Sequence, residues 1–180
     1  MEGTLLVWTI GHSTRSIDEF IAILKSFSIE TLVDVRSFPG SRRYPHFNRE
    51  ALAASLREAG VAYVHLKELG GRRRARRDSL NMAWRNESFR GYADYMETDA
   101  FGDGMDRLLD IARRQRTAIM CSEAVWWRCH RSLISDYLKA KGVDVIHILA
   151  AGKSAAHPYT SAARILNGEL SYRGVLETDH

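Results

Sequence analysis

The sequence predicts one α/β domain, a layered sandwich with a largely parallel central sheet flanked by helices. Three observations support this. Short apolar runs of strand length alternate with stretches whose apolar residues recur every three or four positions. The connections between strands are long enough for helical crossovers, which join parallel neighbours. A chain of 180 residues can bury one good core and is short for two.

The first strand is Leu5 to Ile10, followed at once by Gly11, His12 and Ser13. Ser16 reads as an N-cap, with Glu19 three residues on completing a capping box for a helix through Ile17, Phe20, Ile21 and Leu24. Thr31 to Val35 is a second strand that carries Asp34 inside an apolar run and ends at Arg36. A charge there needs a partner or a cavity, so Asp34 is either a functional acid or half of a structural contact with Arg36 or the backbone.

Residues 37–48, SFPGSRRYPHFN, form a loop that mixes aromatic and basic groups, with Arg42 and Arg43 at its centre. Asn48 caps a helix through Leu52, Leu56 and Ala59 that stops at Gly60, and Val61 to Leu66 is a third strand. After Gly70 and Gly71 come five arginines in the six residues 72–77, opening an excursion over about residues 70–100. Like charges at that density mark a solvated, mobile segment or a polyanion contact. The aromatics Trp84, Phe89, Tyr92 and Tyr95 suggest a helical stretch within Ser79 to Thr98, covering one end of the sheet.

Met105, Leu108, Leu109, Ile111 and Ala112 define a further amphipathic helix. Thr117 to Cys121 is a buried strand, and Leu133, Ile134, Tyr137 and Leu138 then recur at helical spacing up to Gly142. Val143 to Leu149 supplies another strand, and a short helix is expected around Ala162 to Leu166.

Composition excludes some classes. An apolar share of 45% and a charged share of 27% are those of an ordinary globular domain. The N-terminus lacks a signal-peptide core and no apolar run reaches membrane-spanning length, so a cytoplasmic protein without a membrane partner is expected. In that compartment Cys121 and Cys129 are expected as free thiols. The pI near 9.2 comes from 21 Arg against 5 Lys. Arg suits bidentate binding of phosphate, although arginine enrichment can also follow from coding composition.

In a parallel sheet the residues after the strands' carboxyl ends share one edge. His12, Ser13, Asp34, Arg36, Lys67, Glu68, Cys121 and Glu123 are therefore expected to converge. The turn after Cys121 adds Trp126, Arg128, His130 and Arg131.

Three chemistries compete. In the first, Asp34 or Glu123 acts as acid, base or nucleophile with His12 or His130, while Ser13, Arg36, Arg42, Arg43, Arg128 and Arg131 hold an anion. In the second, Cys121 is a nucleophile before a helix start, as in phosphatases and sulfurtransferases. The phosphate-cradling spacing fails there, because Arg128 falls one position late and Glu123 and two tryptophans crowd the loop. In the third, Cys121, Cys129 and His130 bind metal, but no second paired knuckle exists and no metal is expected. A Glu123–Arg131 bridge could instead merely tie loop to helix. Trp126 and Trp127 could stack on bases, with at least one expected in the core.

The motifs TIGHS, LVDVRSFPGSRR, HLKELGG and CSEAVWWRCHR, in this order and spacing, resemble the DUF488 family of bacterial and archaeal proteins. The likeness runs over nearly the whole chain. It marks Gly11, His12, Ser13, Asp34, Arg36, Pro39, Gly70, Gly71, Cys121, Glu123, Cys129, His130 and Arg131, and implies no particular reaction. The leading expectation is an enzyme acting on a phosphate-bearing substrate, DNA, RNA or a nucleotide, by hydrolysis or base processing, with DNA repair a candidate role. A non-enzymatic nucleic-acid binding module and a cysteine-dependent sulfur or redox protein are the alternatives. No cofactor or oligomeric state follows from the residues.

Overall fold

The computed structural model describes residues 4–174. Its strands are β1 (Leu6–Gly11), β2 (Thr31–Asp34), β3 (Ala62–His65), β4 (Thr117–Cys121), β5 (Asp144–Ala150) and β6 (Lys153–Ala156), followed by a small hairpin of β7 (Arg164–Leu166) and β8 (Glu169–Ser171). The helices are α1 (Ile17–Ser26), α2 (Arg49–Glu58), α3 (Glu87–Tyr95), α4 (Asp99–Arg114) and α5 (Arg131–Ala140). The central sheet runs β3-β2-β4-β1-β5-β6, and every pairing is parallel except β5 with β6. The layered α/β sandwich is therefore present.

Strand alternation sorts the core into two layers. Trp8, Ile10, Leu32, Ala118, Met120 and Ile148 meet Phe20, Leu24, Leu52 and Leu56 from α1 and α2. Val7, Val33, Ile119 and Val145 meet Tyr92, Phe101, Met105, Leu133 and Leu138 from α3, α4 and α5. Thr9 and His147 consequently share the α5 face with Val7 and Val145, while His12 shares the opposite face with Ile10. The predicted capping box forms: Ser16 Oγ accepts from Glu19 N–H at 3.1 Å and Glu19 Oε1 from Ser16 N–H at 3.3 Å.

Two local expectations are corrected. The segment expected as a helix at Ala162 to Leu166 is the first strand of the β7–β8 hairpin. Its apolar residues Ile165 and Leu166 are exposed, so no buried stripe holds a helix there. Only Glu87–Tyr95 of the 79–98 stretch is helical before Thr98 caps α4. Ser79 and Asn81 instead donate side-chain hydrogen bonds to Asp94, which holds that loop open.

The arginine run is strapped to α3. Arg76 N–H reaches Asp94 at 2.8 Å, and Arg73 lies 3.7 Å over the Tyr95 ring. Gly91 permits this, since a Cβ there would come within 2.1 Å of the Arg73 carbonyl oxygen. Arg72, Arg74 and Arg77 remain exposed.

Candidate active site at the edge of β1 and β4

Strands β1 and β4 are neighbours, with Gly11 paired to Cys121. The chain leaves β1 through α1 on one face, passing β4 to reach β2, and leaves β4 through α5 on the other face, passing β1 to reach β5, so the two connections part to opposite faces of the sheet. A crevice opens where connections part at the carboxyl ends of parallel strands. Here it is a cleft of about 730 Å³. Backbone pairing continues past the strands, with His12 N–H donating to Cys121 O at 2.9 Å and Ser13 N–H to Ser122 O at 3.0 Å. Ser13 adopts a left-handed φ of 53° there.

From the predicted set His12, Ser13, Arg36, Arg43, Cys121, Glu123, Arg128 and His130 line the cleft. Glu123 is its single lining acid. Six predicted residues do not line it, among them Lys67 and Glu68, the latter paired with Arg107 at 3.2 Å. Asp34 is fully buried behind Arg36, Arg131 is buried beneath the cysteines, and Arg42 is exposed outside. Trp126 is turned away as well, stacked on His147 at 4.4 Å with a 4° interplanar angle. Its neighbour Trp127 is the exposed indole.

Asp34 sits in a saturated pair with Arg36. Its Oδ1 accepts from Arg36 N–H at 3.1 Å and Nε at 2.9 Å, and its Oδ2 from Arg36 Nη2 at 2.7 Å and the Tyr63 hydroxyl at 2.5 Å. No lone pair is left for proton abstraction, so Asp34 holds Arg36 in place rather than acting as a free base. Arg36 also donates to Phe47 O at 2.8 Å and, through Nη1, to His12 Nε2 at 3.4 Å. His12 gives its Nδ1 proton to Ser13 O at 2.9 Å and stacks on Phe47 at 4.2 Å. Burial first, then the nearby Arg36, lowers its pKa to about 4 against the favourable Ser13 contact. The imidazole is neutral at physiological pH.

On the α5 face the two sulfurs approach to 2.7 Å as free cysteines. Arg131 Nε donates to Cys121 Sγ at 3.0 Å and Cys129 Sγ at 3.3 Å, Nη2 to Glu123 O at 2.7 Å and Nη1 to Thr9 Oγ1 at 3.1 Å. The contact between Glu123 and Arg131 thus runs through a backbone carbonyl, not the expected carboxylate. Burial pushes the Cys121 thiol well up. Burial also opposes ionisation of Cys129, but the Cys121 thiol, the Arg131 charge and the Arg131 N–H at 3.2 Å outweigh it and bring Cys129 down to about 7. His130 donates Nε2–H to Val35 O at 2.7 Å, and burial lowers its pKa.

Sequence reasoning missed Phe38, Tyr44, Arg72 and Phe89 as cleft residues. They come from loops whose path no periodicity sets. It also missed Cys129 as the more acidic thiol, although its place two residues before α5 was a usable signal. Among the described residues no group of three or more His, Cys, Asp and Glu is placed to hold a metal ion. No described helix is long and apolar enough to cross a membrane.

A cleft floored by two thiols above a buried arginine, and walled by further arginines, defines an α/β protein with a polar site on its sheet edge. The chain belongs to the family described as domain of unknown function DUF488, whose model matches residues 16–138. That span includes Asp34, Arg36, Cys121, Glu123, Cys129, His130 and Arg131. No curated protein and no solved structure matches the chain.

Proposed function

We propose that this protein is a cytoplasmic enzyme acting on a phosphate-bearing substrate, a nucleotide or a segment of nucleic acid, bound in the cleft between β1 and β4. The observation that supports this best is charge placement. Arg36 and Arg43 from the β2–α2 connection, Arg72 from the arginine run and Arg128 from the turn after β4 line one hollow that carries a single acid. Such a hollow attracts an anion, and guanidinium groups match phosphate oxygens bidentately.

The arginines divide by mobility. Arg36 is fixed by Asp34, whereas Arg43, Arg72 and Arg128 are exposed and able to follow a backbone. Phe38 is 69% exposed beside them, an aromatic face with no core to cover and suited to stacking a base. Glu123 is the acid placed to move a proton, and neutral His12 orients the ligand through Arg36.

The test is a panel of nucleotides and of single-stranded and duplex oligonucleotides, with and without base lesions, assayed for binding at low salt and for product. Turnover lost in Glu123→Gln with binding retained supports the enzyme. Retained binding without turnover on any substrate leaves the binding-module alternative. Absence of binding to every phosphate-bearing ligand at low salt overturns the proposal.

A further inference from the structure

Arg131 is 1% exposed and, among the described residues, makes no ion pair with a carboxylate. A guanidinium buried without a counter-charge is costly. Of the groups its nitrogens touch, Glu123 O, Thr9 Oγ1 and the two sulfurs, only the sulfurs ionise readily. The geometry also picks one of them. Cys129 Sγ receives the Arg131 backbone N–H as well as Nε, and it stands just before the positive end of α5. Cys121 receives Nε alone from Arg131 and keeps a proton to share.

Behind Arg131 runs a buried row of hydrogen bonds that the cleft does not use. Thr9 Oγ1 lies 2.6 Å from His147 Nδ1, His147 Nε2 lies 2.8 Å from His157 Nδ1, and His157 Nε2 lies 2.8 Å from Asp136 Oδ1. A guanidinium only donates and a carboxylate only accepts, so with both imidazoles neutral every bond in the row points the same way. Arg131 donates to Thr9, Thr9 to His147, His147 to His157, and His157 to Asp136. Burial pushes His147 down to about 2, which favours its neutral single tautomer. Asp136 is anchored further by Thr160 N–H, the Thr160 hydroxyl and the Tyr172 hydroxyl.

We propose that Cys129 is a nucleophile opening onto the floor of the cleft, and that Arg131 is its positioning residue, locked against the sulfur by the buried chain Thr9–His147–His157–Asp136. The site takes a soft electrophile carried by a ligand in the cleft, whose lining includes Cys129 itself. This does not rest on the phosphate reading, since the chain and the sulfurs are internal to the protein. The ionisable and charged groups around the sulfur are Cys121 from β4, Arg131 and His130 at the start of α5, and Tyr92 from α3.

Iodoacetamide tests this on the intact protein, with each cysteine quantified by mass spectrometry across pH. The Cys129 sulfur pair forms the carbon–sulfur bond as iodide leaves with the carbon–iodine pair, the thiol proton having gone to solvent. Cys129 labels before Cys121, with a midpoint near pH 7. Thr9→Val and Asp136→Asn raise that midpoint toward the ordinary thiol value of about 8.5, while Thr9→Ser keeps it low. Far-ultraviolet dichroism reports whether each variant is folded.

A wild-type midpoint at the ordinary value, or faster labelling of Cys121, overturns the nucleophile assignment whether or not the variants fold. An unmoved midpoint in folded Thr9→Val and Asp136→Asn overturns the positioning role.

Discussion

Asp34 grips Arg36 with both carboxylate oxygens, at 2.9 Å to Nε and 2.7 Å to Nη2, and both side chains are nearly free of solvent. Removing one member strands the other as a buried charge or an unmet acceptor. Asp34→Ala is therefore expected to lower unfolding free energy by about 3–5 kcal/mol, read from urea denaturation. Tyr63→Phe, which removes one bond to the same carboxylate, costs about 1.5–3 kcal/mol. A variant lacking Asp34 with wild-type stability but no turnover would return that residue to the catalytic group.

Under the proposed function, Arg43→Gln and Arg128→Gln are each expected to weaken binding of a single-stranded oligonucleotide. Each lost phosphate contact also flattens the slope of log K against log salt by about 0.7. Arg42→Gln is the control, because that side chain is exposed outside the cleft lining. Fluorescence anisotropy across a salt series measures both effects. Equal losses in all three variants would indicate a diffuse positive surface in place of a site.

Acid sensitivity has a defined sign. His12 is held near 4 and His147 near 2, each below its ordinary 6.5 and each chiefly by burial. As pH falls through 6.5 the unfolded chain binds protons that the folded chain does not. Stability contributed by the neutral imidazoles is full above that value and is lost progressively toward pH 4 and below. Urea midpoints should drop over this window, and His12→Asn should make the drop shallower. A wild-type midpoint constant from neutral pH to pH 4 would refute the assignment.

Gly11→Ala should cost about 1–3 kcal/mol. The added Cβ would stand 1.6 Å from the Glu123 carbonyl oxygen, which itself accepts from Arg131 Nη2. Thermal melting reads the loss, and the same variant should disturb Cys129 labelling through Arg131.

The layered fold and the shared edge were legible because strand-length apolar runs and crossover spacing are local signals. Asp34 was flagged by one rule, a charge inside an apolar run, and the rule found a real pairing. It could not tell a saturated ion pair from a reactive acid, since Tyr63 arrives from another strand. The same rule applied to His147 within Val143 to Leu149 would have exposed the buried imidazole chain. The hairpin at Arg164–Leu166 and the path of residues 72–86 are set by tertiary contacts such as those of Asp94, and no sequence period announces them.

The row from Arg131 to Asp136 has a head and a tail, a guanidinium at one end and a carboxylate at the other. It is a dipole made of side chains, laid through the interior with its positive pole under the sulfurs. Its leading member holds its protons too tightly to pass one on, so the row transmits polarisation and not protons. Any proton shed at the two thiols must therefore leave by the open side, through whatever fills the cleft.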